Sequence, residues 1–222
     1  MQGGPLGDQG ACRQYGTRST QAFTALKGVI FLDKIRAFIA VPAPDEVKRL
    51  IDRIENELRS AGADVKWVEP DNVHVTLKFL GNITPDRVEV LGEQITQALT
   101  GVRRFEVEVS GMGTFPKHGR SPRVIWLGLG QGSDMLCEVA RRVEDVCANL
   151  GFEKEERPFQ PHLTIGRVRR GSPNLGRLRD EIDRIEYNPL KLLVDRVNLM
   201  RSELSPRGPT YTVLVSMALE ET

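Results

Sequence analysis

The sequence has few of the residues that mark specialised classes of protein. Among 222 residues it holds three cysteines, three histidines and 6% aromatic residues, and its formal net charge is +1. An odd number of cysteines without a framework spacing predicts reduced thiols, and we expect a cytoplasmic protein. The apolar runs 29–32 and 37–41 are far too short to span a bilayer. With so small a net charge, any contact with a polyanion must depend on local positive charge.

The chain divides into a leading segment and a patterned remainder. Residues 1–34 are rich in glycine and polar residues and have little apolar periodicity, so we expect a disordered N-terminal extension. The whole chain is 40% hydrophobic and 27% charged, which is ordinary for a soluble globular protein. Residues 35–222 are enough to bury a full core, in one domain or two small lobes.

The order of predicted elements repeats along the chain. From Arg36 the predicted order is strand, helix, strand, strand, helix, strand, and it recurs, which gives two halves of about 36–110 and 123–219. Phe38 and Trp126 match, because each lies 36 residues before a histidine. We predict an α+β fold of two pseudo-symmetric lobes. Each lobe is a small, mainly antiparallel sheet with helices on its outer face, and the active-site cleft lies between the lobes.

Two of the three histidines lie in the same pattern, His-x-Thr-x, 88 positions apart. The two tetrapeptides are His74-Val75-Thr76-Leu77 and His162-Leu163-Thr164-Ile165. Alternation of polar and apolar residues predicts a strand in each, with histidine and threonine on one face, roughly 7 Å apart. The residues predicted to face the core are Val75, Leu77, Leu163 and Ile165. Two such strands side by side would offer two imidazoles and two hydroxyls to one site.

A pair of imidazoles suits the opening of a 2′,3′-cyclic phosphate at an RNA end. Water attacks on one side of phosphorus and the ribose oxygen leaves on the other, so one imidazole can accept a proton while the second donates one. An ordinary imidazole pKa near 6.5 makes both forms available at neutral pH. The hydroxyls can donate to the non-bridging oxygens. We therefore expect acid–base catalysis without a metal or other cofactor.

Other kinds of site fit these residues less well. A zinc site needs three or four close ligands, and neither tetrapeptide has a neighbouring carboxylate or thiol. A serine hydrolase of the common α/β type needs a Gly-x-Ser-x-Gly turn, which the sequence lacks. One His-x-Thr alone would best be explained as a hydrogen-bonded sheet residue. Two copies in a matching duplicated frame favour a functional site.

Four segments follow one another in an order typical of a known family: Arg36–Pro42, Asn72–Gly81, Arg123–Gly128 and Pro161–Arg167. They resemble the RNA 2′,3′-cyclic phosphodiesterases, also called 2′-5′ RNA ligases, of the two-histidine phosphoesterase superfamily. The resemblance covers residues 36–222. It implies metal-independent hydrolysis of RNA 2′,3′-cyclic phosphate ends to 2′-phosphates, and for some members a reversible, ATP-independent 2′-5′ ligation. It also implies RNA partners with such ends, tRNA halves among them. We expect a monomer that does not bind membranes.

The resemblance assigns roles to the two tetrapeptides. His74 matches the proton donor to the leaving 3′-oxygen, and His162 matches the proton acceptor that activates water. The near symmetry of the halves leaves these two roles open on physical grounds alone. Thr76 and Thr164 match ligands of the phosphate.

Three further residues are candidates for substrate binding because of their positions. Lys78 shares the face of His74 if its strand is regular, and could hold phosphate. Phe115 lies in a predicted flexible connector between the lobes, rich in glycine, and could stack on the terminal base. Arg167 follows the second tetrapeptide and could bind an RNA phosphate. For Phe38 and Trp126 we favour core packing over base stacking.

Two other functions remain open at this point. One is a related cyclic phosphodiesterase that acts on small nucleotides or on a by-product of tRNA splicing. The other is a non-catalytic module that binds RNA ends. Turnover of a mononucleotide cyclic phosphate without gain from a longer RNA would favour the first. Tight RNA binding without turnover would favour the second.

Overall fold

The described part of the protein consists of two antiparallel sheets and four α-helices. The structure is a computed structural model, and it describes residues 1, 34–117, 121–206 and 208–221. The predicted N-terminal extension therefore lies outside the described residues, apart from Met1 and Lys34. No helix among the described residues is long and apolar enough to cross a membrane.

The strands and helices follow the order predicted from the sequence. The strands are β1 (Ile35–Pro42), β2 (Val65–Trp67), β3 (His74–Ile83), β4 (Phe105–Phe115), β5 (Val124–Leu129), β6 (His162–Val168), β7 (Leu190–Val194), β8 (Arg196–Ser205) and β9 (Gly208–Ala218). The α-helices are α1 (Asp45–Arg59), α2 (Asp86–Ala98), α3 (Ser133–Asn149) and α4 (Leu175–Arg184).

Helix α1 shows how local sequence determines an element. Its apolar residues recur at helical spacing, and five of them are buried: Val47, Leu50, Ile51, Ile54 and Leu58. Asp45 and Glu46 lie in the first turn, where carboxylates interact favourably with the helix dipole. Beyond the last turn, Gly62 takes a left-handed φ of 70° that suits glycine.

Each sheet contains strands from both halves of the chain. The four-stranded sheet has the order β3-β1-β8-β9, and the five-stranded sheet has the order β2-β6-β5-β4-β7. The predicted α+β fold with antiparallel sheets is confirmed. The sequence also predicts that each half builds its own sheet, whereas the halves exchange strands. β8 and β9 join the sheet of β1 and β3, while β2 and β4 join the sheet of β5, β6 and β7.

The hydrophobic core covers one face of each sheet, and the predicted site lies on the other. In β1, Ala37, Ile39 and Val41 belong to the core. The apolar residues of both tetrapeptides are also buried in it: Val75, Leu77, Leu163 and Ile165. The histidine-containing strands β3 and β6 contact each other, as the sequence predicts. The opposite faces of these two strands therefore form one site.

Candidate active site

The two histidines occupy matching positions. His74 is the first residue of β3, and His162 is the first residue of β6. Each ring nitrogen Nδ1 lies 2.7 Å from a backbone carbonyl two residues earlier, that of Asn72 or Gln160. Because a carbonyl can only accept, each Nδ1 carries the donated proton. Each Nε2 is therefore the atom available for proton exchange with a substrate.

The environment of His74 favours its neutral form. The pKa of His74 is lowered to about 4, chiefly by burial. The charges of Arg167 and His162 act in the same sense, while the hydrogen bond to Asn72 acts in the opposite sense. Electrostatic effects of this kind weaken with distance. The action of Arg167 and His162 on His74 therefore indicates that the three side chains share one site.

The two threonines lie beside the histidines. Thr76 and Thr164 each follow a histidine by two strand positions and are partly exposed, between fully buried neighbours. Thr76 pairs with Ala40 of β1, and Thr164 pairs with Trp126 of β5. The structure thus presents an imidazole and a hydroxyl on the same face of each strand, as predicted.

A β-bulge in β3 changes the face on which Lys78 lies. Between Thr76 and Lys78 the pairing with β1 skips Leu77. One extra residue reverses the alternation of the strand after the bulge. Lys78 is consequently 3% exposed, on the face opposite Thr76, and Phe79 is 58% exposed. The prediction that Lys78 shares the face of His74 and binds phosphate there is wrong, because it assumed a regular strand.

A corresponding bulge in β6 brings Arg167 to the site. The pairing of β6 with β5 skips Ile165 between Thr164 and Gly166. After this bulge, Gly166 faces the buried side, while Arg167 is exposed on the face of Thr164. Arg167 thus lies where the sequence predicted a phosphate-binding residue. Whether it binds phosphate stays a prediction.

Two aromatic rings surround His74. The Phe38 ring lies 4.8 Å from the imidazole, and the Tyr211 ring lies 5.3 Å from it in an edge-to-face arrangement. Phe38 is 3% exposed, so its predicted packing role agrees with the structure, although its ring contacts the site. Phe79 extends this group, with its ring 6.3 Å from that of Phe38.

One aromatic ring contacts His162, and a second packs behind it. Phe115 lies 5.2 Å from the imidazole, edge to face, and 5.2 Å from the Trp126 ring. It is the last residue of β4 and not part of a flexible connector, so that element of the prediction is wrong. Trp126 packs over Gly113, where a Cβ would lie 2.6 Å from the indole ring. His74 is therefore in contact with two aromatic rings, and His162 with the ring of Phe115.

Sequence reasoning missed Tyr211, Phe79 and Asn72. Tyr211 lies on β9, far along the chain from His74. Asn72 connects the two, because its Nδ2 donates to the carbonyl of Pro209 at 2.9 Å while its own carbonyl accepts from His74. The exposure of Phe79 depends on the bulge in β3, for which the sequence gives no local signal. Of the three residues, only Asn72 had a signal in the sequence, which is its position beside the first tetrapeptide.

No three His, Cys, Asp or Glu side chains come together in the described residues in a way that would hold a metal ion. The acid–base groups at the site are the two imidazoles. Among the described residues around them, hydroxyls come from Thr76, Thr164 and Tyr211, and a permanent positive charge comes from Arg167.

The two sheets and the paired histidines define the class: an α+β protein with a two-histidine site shared by its sheets. The sequence model of the family described as LigT like Phosphoesterase matches residues 41–126 and 129–211, which include both tetrapeptides. The chain belongs to the LigT-like phosphoesterases.

Relatives and solved structures agree with this family. The RNA 2′,3′-cyclic phosphodiesterase of Methanothermobacter thermautotrophicus is 37% identical over 181 residues, which cover 81% of this chain and 96% of that protein. The protein of the same name from Thermotoga maritima is 34% identical over 186 residues, covering 84% and 96%. A crystal structure from Thermus thermophilus matches with a TM-score of 0.67 at 27% identity, covering 83% and 98%. The E. coli LigT structure with 3′-AMP shares the fold, with a TM-score of 0.65 at 23% identity, covering 84% and 99%.

Proposed function

We propose that the protein hydrolyses RNA 2′,3′-cyclic phosphate ends to 2′-phosphates by acid–base catalysis between His74 and His162, without a metal. The observation that carries the proposal is the matched pair of imidazoles on β3 and β6, each with Nδ1 bound to a carbonyl and Nε2 available. The substrate class is supported by the relatives, whose names specify RNA 2′,3′-cyclic phosphodiesterase.

In the proposed reaction, His162 accepts a proton from water as the water oxygen bonds to phosphorus. The bond from phosphorus to the 3′-oxygen breaks, and His74 donates a proton to that oxygen. Because the pKa of His74 is about 4 in the free protein, His74 must take up its proton together with the substrate. The negative phosphodiester supports this uptake, since a nearby anion favours the imidazolium form.

The remaining groups bind the substrate. The hydroxyls of Thr76 and Thr164 donate to the non-bridging oxygens, and Arg167 balances their charge. The exposed ring of Phe79, with Phe115 and Tyr211, offers surfaces on which the terminal base can stack. A ribose 5′-hydroxyl in place of water would give a 2′-5′ linkage by the same displacement, without ATP. The odd number of cysteines supports a cytoplasmic enzyme. We propose that it acts as a monomer, on substrates such as tRNA halves.

The test is an assay with EDTA and an oligonucleotide that ends in a 2′,3′-cyclic phosphate. The folded wild-type protein is expected to give a 2′-phosphate. The variants His74→Ala and His162→Ala are each expected to lose about 10²-fold or more in kcat with the fold retained, as is typical for loss of a placed proton-transfer group. Persistence of the cyclic end with wild-type protein would contradict the proposal. A 3′-phosphate product would contradict the assigned leaving oxygen.

The same assay separates the two alternatives. Equal turnover of a mononucleotide cyclic phosphate and a longer RNA would favour a small-nucleotide phosphodiesterase. Tight binding of the oligonucleotide without turnover would favour an RNA-end binding module.

A further inference from the structure

One edge of β6 is paired with β2, a strand from the other half of the chain. Gly166 of β6 pairs with Trp67 of β2. A Cβ on Gly166 would lie 2.8 Å from the side chain of Val65 and 3.0 Å from that of Trp67. The side chains of β2 therefore take the space next to Gly166. This pairing also attaches the segment that leads into His74 to the opposite histidine-containing strand.

The offset of 88 that relates the two histidines identifies the corresponding residues in the other half. Lys78 corresponds to Gly166, Glu153 to Val65, and Glu155 to Trp67. Residues 153–155 form no strand, so they are not attached to β3 by backbone pairing of the kind that attaches β2 to β6. Another interaction must attach them. A lysine stands where the other half has a glycine.

The side chain of Lys78 makes the corresponding attachment. Its Nζ lies 3.0 Å from both carboxylate oxygens of Glu144 on α3, 2.6 Å from the carbonyl of Glu153 and 3.7 Å from a carboxylate oxygen of Glu155. Glu144 in turn accepts a hydrogen bond of 3.1 Å from the backbone N–H of Glu155. The ammonium group donates hydrogen bonds to Glu144 and to the carbonyl of Glu153, and Glu155 adds an ion-pair contact.

Burial makes this arrangement sensitive to change. The Lys78 side chain is 2% exposed, and the Glu144 side chain is 22% exposed. A buried charge is costly unless it is paired and hydrogen-bonded, so removal of one partner leaves the other without compensation. All the acceptors named above lie on α3 or on the segment that runs from it to His162. Loss of the ammonium group would therefore release this segment.

We propose that Lys78 is a positioning residue, which holds the segment leading into His162 against the strand that begins with His74. Lys78 lies two positions after Thr76, and Glu155 lies seven positions before His162. One side chain thus connects the two tetrapeptides and sets the spacing of the imidazoles. The inference rests on the proposed function only for its effect on catalysis.

The test compares Lys78→Met with Lys154→Met, which removes an exposed lysine from the same segment. Amide hydrogen exchange of residues 153–161 is expected to become faster in Lys78→Met, while exchange of residues 65–72 stays unchanged. With a cyclic-phosphate oligonucleotide, kcat is expected to fall about tenfold or more, since small misplacements of catalytic groups are costly, with a smaller change in KM. Lys154→Met is expected to match wild type in hydrogen exchange, kcat and KM.

A purely structural role would lower thermal stability but leave kcat of the folded protein and exchange of 153–161 unchanged, and that result would overturn the proposal. Should Lys78→Met fail to fold, Glu144→Gln replaces it, because it weakens the same ion pair while keeping an acceptor. Glu144→Gln is expected to make exchange of residues 153–161 faster and to lower kcat, each by less than Lys78→Met does. If wild type does not open the cyclic phosphate, the proposed function fails, and the exchange measurement still decides whether Lys78 holds the segment.

Discussion

At the scale of single residues, the burial of His74 has a direct kinetic consequence. Its pKa is lowered to about 4, so His74 stays neutral in the free protein at all higher pH values. The profile of kcat/KM against pH reports groups of the free enzyme. Turnover needs one imidazole protonated and the other neutral, so the lower pKa of the pair sets the acid limb. We expect this limb near pH 4 and not near the ordinary imidazole value of about 6.5.

The profile of kcat is expected to differ. It reports the bound state, in which the phosphodiester anion raises the pKa of His74, so its acid limb lies at higher pH. Rate measurements from about pH 3.5 to 9 at low and saturating substrate give both profiles. Identical acid limbs near pH 6.5 would contradict the argument from burial.

Phe79 provides a test of how the site holds a base. The variant Phe79→Ala is expected to raise KM for a cyclic-phosphate dinucleotide about fivefold or more, as base–aromatic stacking contributes ~1 kcal/mol or more. The matched control is Leu193→Ala, which removes another exposed apolar side chain from β7 at the far edge of the five-stranded sheet. Equal KM values for Phe79→Ala and wild type would show that the ring does not contact the base.

At the scale of elements, β2 and β6 are held together by close packing at Gly166. The variant Gly166→Val places a side chain against Val65 and Trp67, and we expect the free energy of unfolding to fall by about 1–3 kcal/mol through overpacking. Urea unfolding measures this change. Gly176→Ala on α4 is the control, because a Cβ there meets nothing within 4 Å and alanine favours a helix. An unchanged stability of Gly166→Val would mean that β2 moves away without cost.

Single elements were the most predictable part of this protein. The apolar spacing in α1 and the terminal glycine at position 62 are local signals, and the structure follows them. The bulges are different, because one extra residue leaves the apolar pattern of β3 nearly unchanged. Sequence reasoning therefore placed His74 and Thr76 correctly and misplaced Lys78. Arg167 lies at the site only because a separate bulge in β6 places it on the same face as Thr164.

At the scale of the whole molecule, the exchange of strands could not be predicted. Period-two alternation determines which face of β8 or β4 is buried, but not which strand lies beside it. Long connections between strands leave several orders open. Tyr211 was missed for this reason, since its contact with His74 depends on β9 belonging to the sheet of β3.

The exchange predicts that neither half folds alone. Fragments divided at residues 118–120 would each lack strands that pair with their own: the first half loses β8 beside β1, and the second loses β4 beside β5. We expect each separate fragment to show no cooperative unfolding transition by circular dichroism, whereas the intact chain shows one. A cooperative transition in either fragment would contradict this expectation.

Residues related by the duplication are not the same on the two sides of the site. Phe79 corresponds to Arg167, and the two bulges turn both toward the histidines. A ribonucleotide end is itself directional, with a base on one side of the sugar and a phosphate on the other. A receptor of identical halves would accept such an end in two opposite orientations. In the proposed reaction, an aromatic ring in one half and a guanidinium group in the other would give the ligand a single polarity, and so would give two equivalent imidazoles different tasks.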